Sequence, residues 1–463
     1  MPVPAYFDYN QSLTAASEVW KGSLADQDAI QHLAQRRLKD LRDFARANSP
    51  FYRRLYQGLC SGECRLESLP PVPRADFMSN LEEVVTDRDV TRAGLEAFLE
   101  NRSTIGAPFL GRYAVWTSSG TIGEPSVLLH DGHALAVYDA LQLLRFRAAS
   151  PPRFDDRYAL VGATGNHFAG VASVERLRRL QPWLADHLRV FSVLEPISTL
   201  TRALNDYKPS LLATYATAAA LLAEEQADGR LAIAPREVWT GGECLSAGDR
   251  SRIERTFDCR VRDEYGASEF LSIAWDCGHG ALHANADWVL LEAIDAQGRA
   301  VPPGTASYTA LITNLVNRVQ PLLRFDLGDS ITWLEEPCSC GSRFPALRVE
   351  GRRDEALVLT STEGHSVKLL PLALTTVLED EATVYRFQVR QTDTDAVALD
   401  LDPTCDDDAP RRCRAALRRY LGAQGLPGVH LEIRRRTLQP HPVSGKLQRV
   451  SRLVATTGSQ NRR

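Results

Sequence analysis

Several stretches of this 463-residue chain combine residue types and spacing that suit chemistry on a polyphosphate. The run Thr117-Ser118-Ser119-Gly120-Thr121-Ile122-Gly123-Glu124-Pro125 follows an apolar lead-in ending at Trp116 and precedes a helix-like pattern over residues 133–147. Small hydroxyl residues and glycines leave backbone N–H groups and Oγ atoms bare, which is what a phosphate cradle requires. No Lys-Ser or Lys-Thr follows the second glycine, so this is not the Walker arrangement, and alone the run reads equally well as a surface turn. Glu269 closes the segment Tyr265-Gly266-Ala267-Ser268-Glu269. A carboxylate there is placed either to hold Mg²⁺ against phosphate oxygens or to cap a helix. Asp326 and Asp329 flank Gly328 after an apolar run. An ionised carboxylate accepts from both hydroxyls of a ribose, although this pattern is also common in turns. Near the end of the chain, Pro442-Val443-Ser444-Gly445-Lys446 sets one lysine on a Ser-Gly turn, as a surface charge or as a movable cation for a phosphate.

A second constellation is metal-like. Cys277, His279 and His283 lie in one short segment, and Cys338 and Cys340 follow downstream. Cys277, His283, Cys338 and Cys340 make a tetrahedral Zn²⁺ set, with His279 as the substitute ligand; a full protein complement would make the ion structural. The competing reading is a tight Cys-Ser-Cys turn with free thiols. Nine cysteines, an odd number without regular spacing, do not form a disulfide framework.

The elements that must position these residues follow from hydrophobic periodicity. Over residues 155–266, candidate strands at 158–162, 190–194, 211–215, 238–242 and 261–265 alternate with helical patterns such as 217–228 and 246–257. That alternation predicts crossover units and a mostly parallel sheet, whose ligands lie beyond the carboxyl ends of the strands. An amphipathic helix is expected over 28–47, followed by the stiff connector Leu69-Pro70-Pro71-Val72-Pro73. After Phe270 shorter strands at 288–294, 308–313 and 330–334 predict a β-rich subdomain. A smaller α+β unit is expected beyond residue 350, with a strand at 356–359, helices at 370–378 and 410–421, and a strand at 429–433.

The fold class expected is therefore α/β. A large N-terminal domain of mostly parallel sheets flanked by helices, plus a β-rich subdomain, spans residues 1–352, and a smaller mobile α+β domain spans 353–463. The formal charge of -4, from 54 Lys+Arg against 58 Asp+Glu, argues against a nucleic-acid binder. No apolar run approaches the roughly 20 residues of a membrane-spanning helix. Met1-Pro2-Val3-Pro4 opens without a basic region before an apolar core, so no secretory signal is expected and a cytoplasmic location is.

Taken in order, the four phosphate-directed stretches resemble the adenylate-forming superfamily of acyl-CoA synthetases, luciferases and adenylation domains. Asn48-Ser49-Pro50-Phe51-Tyr52-Arg53, Leu69-Pro70-Pro71-Val72-Pro73-Arg74, and Cys338-Ser339-Cys340-Gly341 ahead of Gly351-Arg352-Arg353-Asp354 are similar to the phenylacetate-CoA ligase branch. The resemblance spans nearly the whole chain. It implies ATP-dependent activation of a carboxylic acid as acyl-AMP, then transfer to CoA or to the phosphopantetheine of an acyl carrier protein. Alternatives are transfer to an amine, giving an amide, or a non-catalytic nucleotide-binding relative. The resemblance assigns Thr117, Ser118, Ser119, Gly120, Thr121 and Gly123 to the β- and γ-phosphates, and Glu269 to Mg²⁺. Gly242, Glu243, Tyr265, Gly266 and Arg352 go to the nucleotide, Asp329 to the ribose, and Asp354 to the hinge. Lys446 bridges the substrate carboxylate and α-phosphate, with Thr121 and Glu269 as its catalytic partners. His167, Phe168, Tyr215 and Ala267 are acyl-pocket candidates suited to an aryl or compact acid, while His167 and Tyr215 also suit structural roles. The expected partners are the acid, ATP, and CoA or a carrier protein, without nucleic acid or membrane; a homodimer is a possible assembly. Two departures stand out: Ile122 occupies a position usually held by threonine, and residues 362–368 follow the family's glycine-centred loop only loosely.

Overall fold

The computed structural model describes residues 7–59, 65–118, 126–149, 153, 155–350, 357–438 and 449–452. They divide into two compact units, one taking in the described residues up to 191 and from 202 to 350, the other residues 192–201 and those from 357 onward.

In the first unit the predicted alternation folds into a nine-stranded sheet. Strands Tyr158–Gly162, Leu211–Thr214, Glu237–Gly241 and Arg260–Ala267 pair in parallel. Leu188–Ser192 lies at the outer edge beside Tyr158–Gly162. Helices Ala169–Leu180, Ala216–Ala227 and Ala247–Phe257 return the chain between strands, as parallel pairing requires. Beyond Arg260–Ala267 the pairing turns antiparallel through Phe270–Asp276, Leu282–Ala284, Ala346–Val349 and Ile331–Trp333. Part of the expected β-rich region thus extends the parallel sheet, and Val289–Ile294, Thr309–Asn314 and Leu322–Asp326 form a separate three-stranded antiparallel sheet. The change of direction falls at the two-residue turn Ser268-Glu269, where Ala267 is paired with Phe270. Gly266 allows it, because a Cβ there would lie 2.1 Å from the Leu271 carbonyl oxygen.

A two-stranded hairpin, Ala114–Thr117 with Val127–His130, carries residues 119–125 between its strands. Its neck is closed by the Ser118 N–H on the Ser126 carbonyl at 3.0 Å and the Ser126 N–H on Ser118 Oγ at 2.9 Å. Gln320 satisfies backbone groups of the second strand, accepting from Leu129 N–H at 2.8 Å and donating to the Val127 carbonyl at 3.1 Å. The hairpin leads into helix Gly132–Ala149, whose Ala134 N–H is capped by Asp131 at 2.9 Å. Helix Gln27–Asn48 matches the amphipathic pattern. Tyr9–Ser23 is a further helix, capped by Asp8, which accepts from Asn10 N–H at 2.7 Å.

In the second unit, Phe387–Asp393 pairs antiparallel with Ala396–Leu401, flanked in parallel by His430–Arg435 on one side and Val450–Ser451 on the other. Helices Pro371–Ala382 and Ala409–Ala423 complete the α+β unit. Residues Leu357–Thr360 and Ser366–Leu369 form a ribbon turning at Gly364, so the loosely matching segment 362–368 is a hairpin turn and its second strand. A buried ion pair, Arg449 Nη1 to Glu379 Oε1 at 2.6 Å, lies in this unit, with the Arg449 guanidinium over the Phe387 ring.

Candidate active site

The polar residues singled out in the sequence gather where the parallel strands end. Glu269 is 2% exposed. Burial raises its carboxyl above the ordinary carboxylate range, and the charge of Arg74 opposes that shift. Arg74 Nη2 donates to Glu269 Oε1 at 3.2 Å while Nη1 donates to Ser118 Oγ at 3.3 Å. One guanidinium thereby links the head of the hydroxyl-glycine run to the buried carboxylate. The Ser268 hydroxyl donates to the Thr117 carbonyl at 3.4 Å, holding the same two segments together a second time.

The two aspartates around Gly328 divide their work. Asp326 accepts from Gly328 N–H at 2.9 Å and from the Thr309 hydroxyl at 2.6 Å, so it stabilises its own turn. Asp329 accepts from the Tyr265 hydroxyl at 3.0 Å and stays partly exposed, available to a ligand. Tyr265 itself is buried, which, with the neighbouring Asp329 charge, holds its hydroxyl in the protonated, donating form.

At the neighbouring strand ends, the Tyr215 ring packs against Gly242, where a Cβ would stand 3.3 Å from it; the positive φ of 76° at Gly242 also favours glycine. The Tyr215 hydroxyl accepts from Ala163 N–H at 3.2 Å, and burial pushes its pKa up to about 12. Glu243 accepts from the backbone N–H and hydroxyl of Thr217 at 2.9 and 2.7 Å, capping helix Ala216–Ala227. His167 is buried, with Nε2 3.3 Å from the Thr104 hydroxyl and its ring against Phe98. Burial lowers its pKa, so it packs as neutral imidazole. Phe168 bridges to Thr117, which brings that segment against the hairpin, and Ala267 ends the strand that leads to Glu269.

Away from this region, Cys277 Sγ, His283, Cys338 Sγ and Cys340 Sγ lie with their ligand atoms all within 4.8 Å of one another. Cys277 and Cys338 sulfurs are 3.6 Å apart, and Cys340 Sγ is 3.2 Å from His283 Nε2. Thiolate and imidazole ligands around one tetrahedral ion stand about 3.5–3.8 Å apart, given metal–ligand bonds of about 2.0–2.3 Å. His283 Nδ1–H donates to the Phe344 carbonyl at 2.7 Å, leaving Nε2 as the ligand atom. The donor set therefore fits a four-coordinate metal. His279 is exposed, outside the cluster, with Nδ1 on the Cys277 carbonyl at 3.0 Å.

No family model matches the sequence. Over 351 residues the chain is 24% identical to phenylacetate-coenzyme A ligase of Thermus thermophilus, covering 72% of each protein. A 139-residue stretch is 27% identical to Protein CapK of Staphylococcus aureus, covering 30% of this chain and only 29% of that protein. Among solved structures, 2-hydroxyisobutyryl-CoA ligase in complex with 2-HIB-AMP and CoA in its thioesterification state matches with a TM-score of 0.58. That match has 20% identity and covers 93% of this chain and 91% of that one. An open conformation of the same enzyme matches at 0.55, with 19% identity over 90% of each chain. The chain is similar to phenylacetate-coenzyme A ligase and has the fold of 2-hydroxyisobutyryl-CoA ligase.

Within this fold, Thr117 and Ser118 are tied to the Ser268-Glu269 turn, Tyr265 is tied to Asp329, and Gly266 follows Tyr265 in the strand that leads to Glu269. Ser119, Gly120, Thr121, Ile122, Gly123, Arg352, Asp354 and Lys446 lie outside the described residues. Arg74 carries no role in the sequence reading. Its signal is positional: it is the one cation directly after a proline-stiffened connector, and the Val72 N–H bond to the Arg324 carbonyl at 2.8 Å anchors that connector. No helix among the described residues is long and apolar enough to cross a membrane.

Proposed function

We propose that the chain is an ATP-dependent acid–thiol ligase that joins a compact or aryl carboxylic acid to AMP and then passes the acyl group to a thiol. The observation that carries this reading is the bridge made by Arg74 between Ser118 and the buried Glu269, beside the Tyr265–Asp329 pair. Ser118 at the head of the hydroxyl-glycine run, the buried Glu269 and the partly exposed Asp329 thus lie near the end of one strand, the place where open α/β sheets take ligands, which supports the reading.

In this reading residues 117–123 take the β- and γ-phosphates and Asp329 takes the ribose hydroxyls. Tyr265, Gly266, Gly242, Glu243 and Arg352 line the nucleotide. Tyr215, Phe168, Ala267 and His167 shape the acyl side. Lys446 brings positive charge to the substrate carboxylate and α-phosphate. A carboxylate oxygen attacks the α-phosphorus, the bond from that phosphorus to the bridging oxygen breaks, and pyrophosphate leaves with the electron pair. A thiolate sulfur then attacks the acyl carbon and AMP departs with its phosphate oxygen. The protein forms no covalent bond in either step, so its contribution is alignment and neutralisation of charge. Glu269 is the residue that would hold Mg²⁺, which when bound offsets charge on phosphate oxygens. Cys277, His283, Cys338 and Cys340 would hold a structural Zn²⁺. A division into residues 1–352 and 353–463 with Asp354 as the hinge belongs to the same reading.

CoA is the favoured acceptor over a carrier protein, since phenylacetate-coenzyme A ligase is among the relatives and 2-hydroxyisobutyryl-CoA ligase is solved with CoA. The test is incubation with ATP, Mg²⁺ and a panel of aryl and short aliphatic acids, with CoA, holo carrier protein or an amine as acceptor, read by mass spectrometry. Acyl-AMP and acyl-CoA are expected from at least one compact acid. Acyl-AMP that reaches product only with the amine would replace the thiol acceptor, and absence of acyl-AMP with every acid would reject the reading.

A further inference from the structure

Three buried residues outside the ligand-directed set form an unbroken hydrogen-bond chain behind Glu269. His130 Nε2–H donates to the Ser268 carbonyl at 2.9 Å. The Tyr138 hydroxyl lies 3.2 Å from His130 Nδ1, which must then be the accepting nitrogen. Asn314 Nδ2 donates to the Tyr138 oxygen at 2.9 Å and, with its other hydrogen, to the Glu269 carbonyl at 2.9 Å. The orientation of the Asn314 amide is fixed from both ends, because its Oδ1 accepts from Val316 N–H at 3.1 Å and Asn317 N–H at 3.2 Å. Trp116 stacks on the His130 ring with centroids 4.0 Å apart. All three residues of the chain are fully buried, and burial lowers the His130 pKa to about 3, so the ring stays neutral in one tautomer.

The consequence is mechanical. Ser268-Glu269 is the whole of a two-residue turn, and both of its carbonyls are tied down from the core side. With the backbone fixed, the direction of the Glu269 side chain is set before any ligand arrives. His130 is also the last residue of the hairpin strand Val127–His130, so the loop-bearing hairpin and the carboxylate-bearing turn are joined at this imidazole.

We infer that His130, Tyr138 and Asn314 are positioning residues that aim the Glu269 carboxylate at the metal-bound phosphates, an inference that rests on Glu269 being the metal-holding residue proposed above. All three lie in the interior, without solvent exposure. Outer partners that orient a metal ligand commonly alter metal affinity by about 10–100-fold when removed.

The test uses Mn²⁺ as the probe, its free concentration followed by electron paramagnetic resonance in the presence of α,β-methylene-ATP, so that no turnover is required. Wild type is compared with His130→Phe, His130→Gln, Tyr138→Phe and Glu269→Gln. Phenylalanine keeps a ring against Trp116 but loses both hydrogen bonds, whereas the glutamine amide can reach the Nε2 position. Tyr138→Phe removes one hydroxyl and leaves the ring packed, which guards against loss of fold at position 130. The expected result is Mn²⁺ affinity lowered about tenfold or more in His130→Phe and Tyr138→Phe, restored to within about twofold in His130→Gln, and abolished in Glu269→Gln. Wild-type affinity in both phenylalanine variants, with loss in Glu269→Gln, overturns the positioning role and leaves the ligase reading standing. A glutamine variant as weak as His130→Phe also overturns it, since the loss would then follow the ring and not the hydrogen bond. Unchanged affinity in Glu269→Gln removes the metal role of that residue and this inference with it.

Discussion

Arg74 makes the contact from which the site is built, and nothing in its sequence neighbourhood points to Glu269, 195 residues away. Removing it leaves a buried carboxylate without its counter-charge and a loop neck without its tether. Arg74→Ala is expected to lower ATP–pyrophosphate exchange by about 10²–10³, the usual cost of deleting one charge-stabilising group; Arg74→Lys should recover part of it, because the charge remains while the fork is lost. Steady-state rates for the two variants, with unfolding midpoints to confirm the fold, decide this. The aspartates give a sharper contrast. Asp326→Asn should destabilise the protein by about 1–2 kcal/mol through the weakened turn and leave the ATP KM near wild type, whereas Asp329→Asn should raise the ATP KM with little change in stability. Sequence pattern alone cannot separate these two carboxylates, since the assignment depends on which one Thr309 and Gly328 have already engaged. Ile122→Thr is expected to alter ATP handling and leave acid preference unchanged, and an acid panel on that variant would show otherwise if the run does not face the leaving group.

At the level of elements, the parallel strands are legible because their apolar, β-branched runs are bounded by glycine and small polar residues, and the structure shifts their ends by only a residue or two. The antiparallel half is less legible: short strands such as Leu282–Ala284 carry too little periodicity to reveal which sheet they join. Helix Tyr9–Ser23 escapes a pattern search for a physical reason. It buries Ala15, Val19 and Gly22 and leaves Leu13 and Trp20 exposed, so its contact face is small-residue packing without an apolar stripe. At Gly22 a Cβ would stand 2.5 Å from Asp287 Oδ2. Asp287 gives this contact a pH dependence. Burial lifts its carboxyl from 3.8 to about 6 even with Arg37 beside it, so the folded protein binds that proton more tightly than the unfolded chain. Its contribution to stability is full below the ordinary carboxylate value and is lost as pH rises through about 6. Thermal unfolding from pH 4 to 7 should show that slope in wild type and its absence in Asp287→Asn. Gly266→Ala, which forces a Cβ against the Leu271 carbonyl, should cost about 1–3 kcal/mol and impair the Glu269 turn.

For the whole molecule, the α and β elements beyond residue 356 are legible from the change in texture after residue 350, whereas the grouping of residues 192–201 with them carries no sequence signal. The role expected for Lys446 comes from family resemblance alone, because no local spacing gives a lysine on a Ser-Gly turn a partner elsewhere in the chain. The cysteine cluster tests long-range assembly: Cys277 and Cys338 meet across 61 residues of sequence. Purified protein is expected to hold about one zinc per chain, and Cys340→Ser to lose it with a lower unfolding midpoint; metal-replete protein free of zinc would reject the assignment. The central claim is acid adenylation, and the most direct measurement is ATP–pyrophosphate exchange with wild type and Lys446→Ala side by side across aryl and short aliphatic acids. The account predicts acid-dependent exchange in wild type and a fall of about 10²–10³ in the variant. Exchange with no acid, or exchange unchanged in Lys446→Ala, would contradict it.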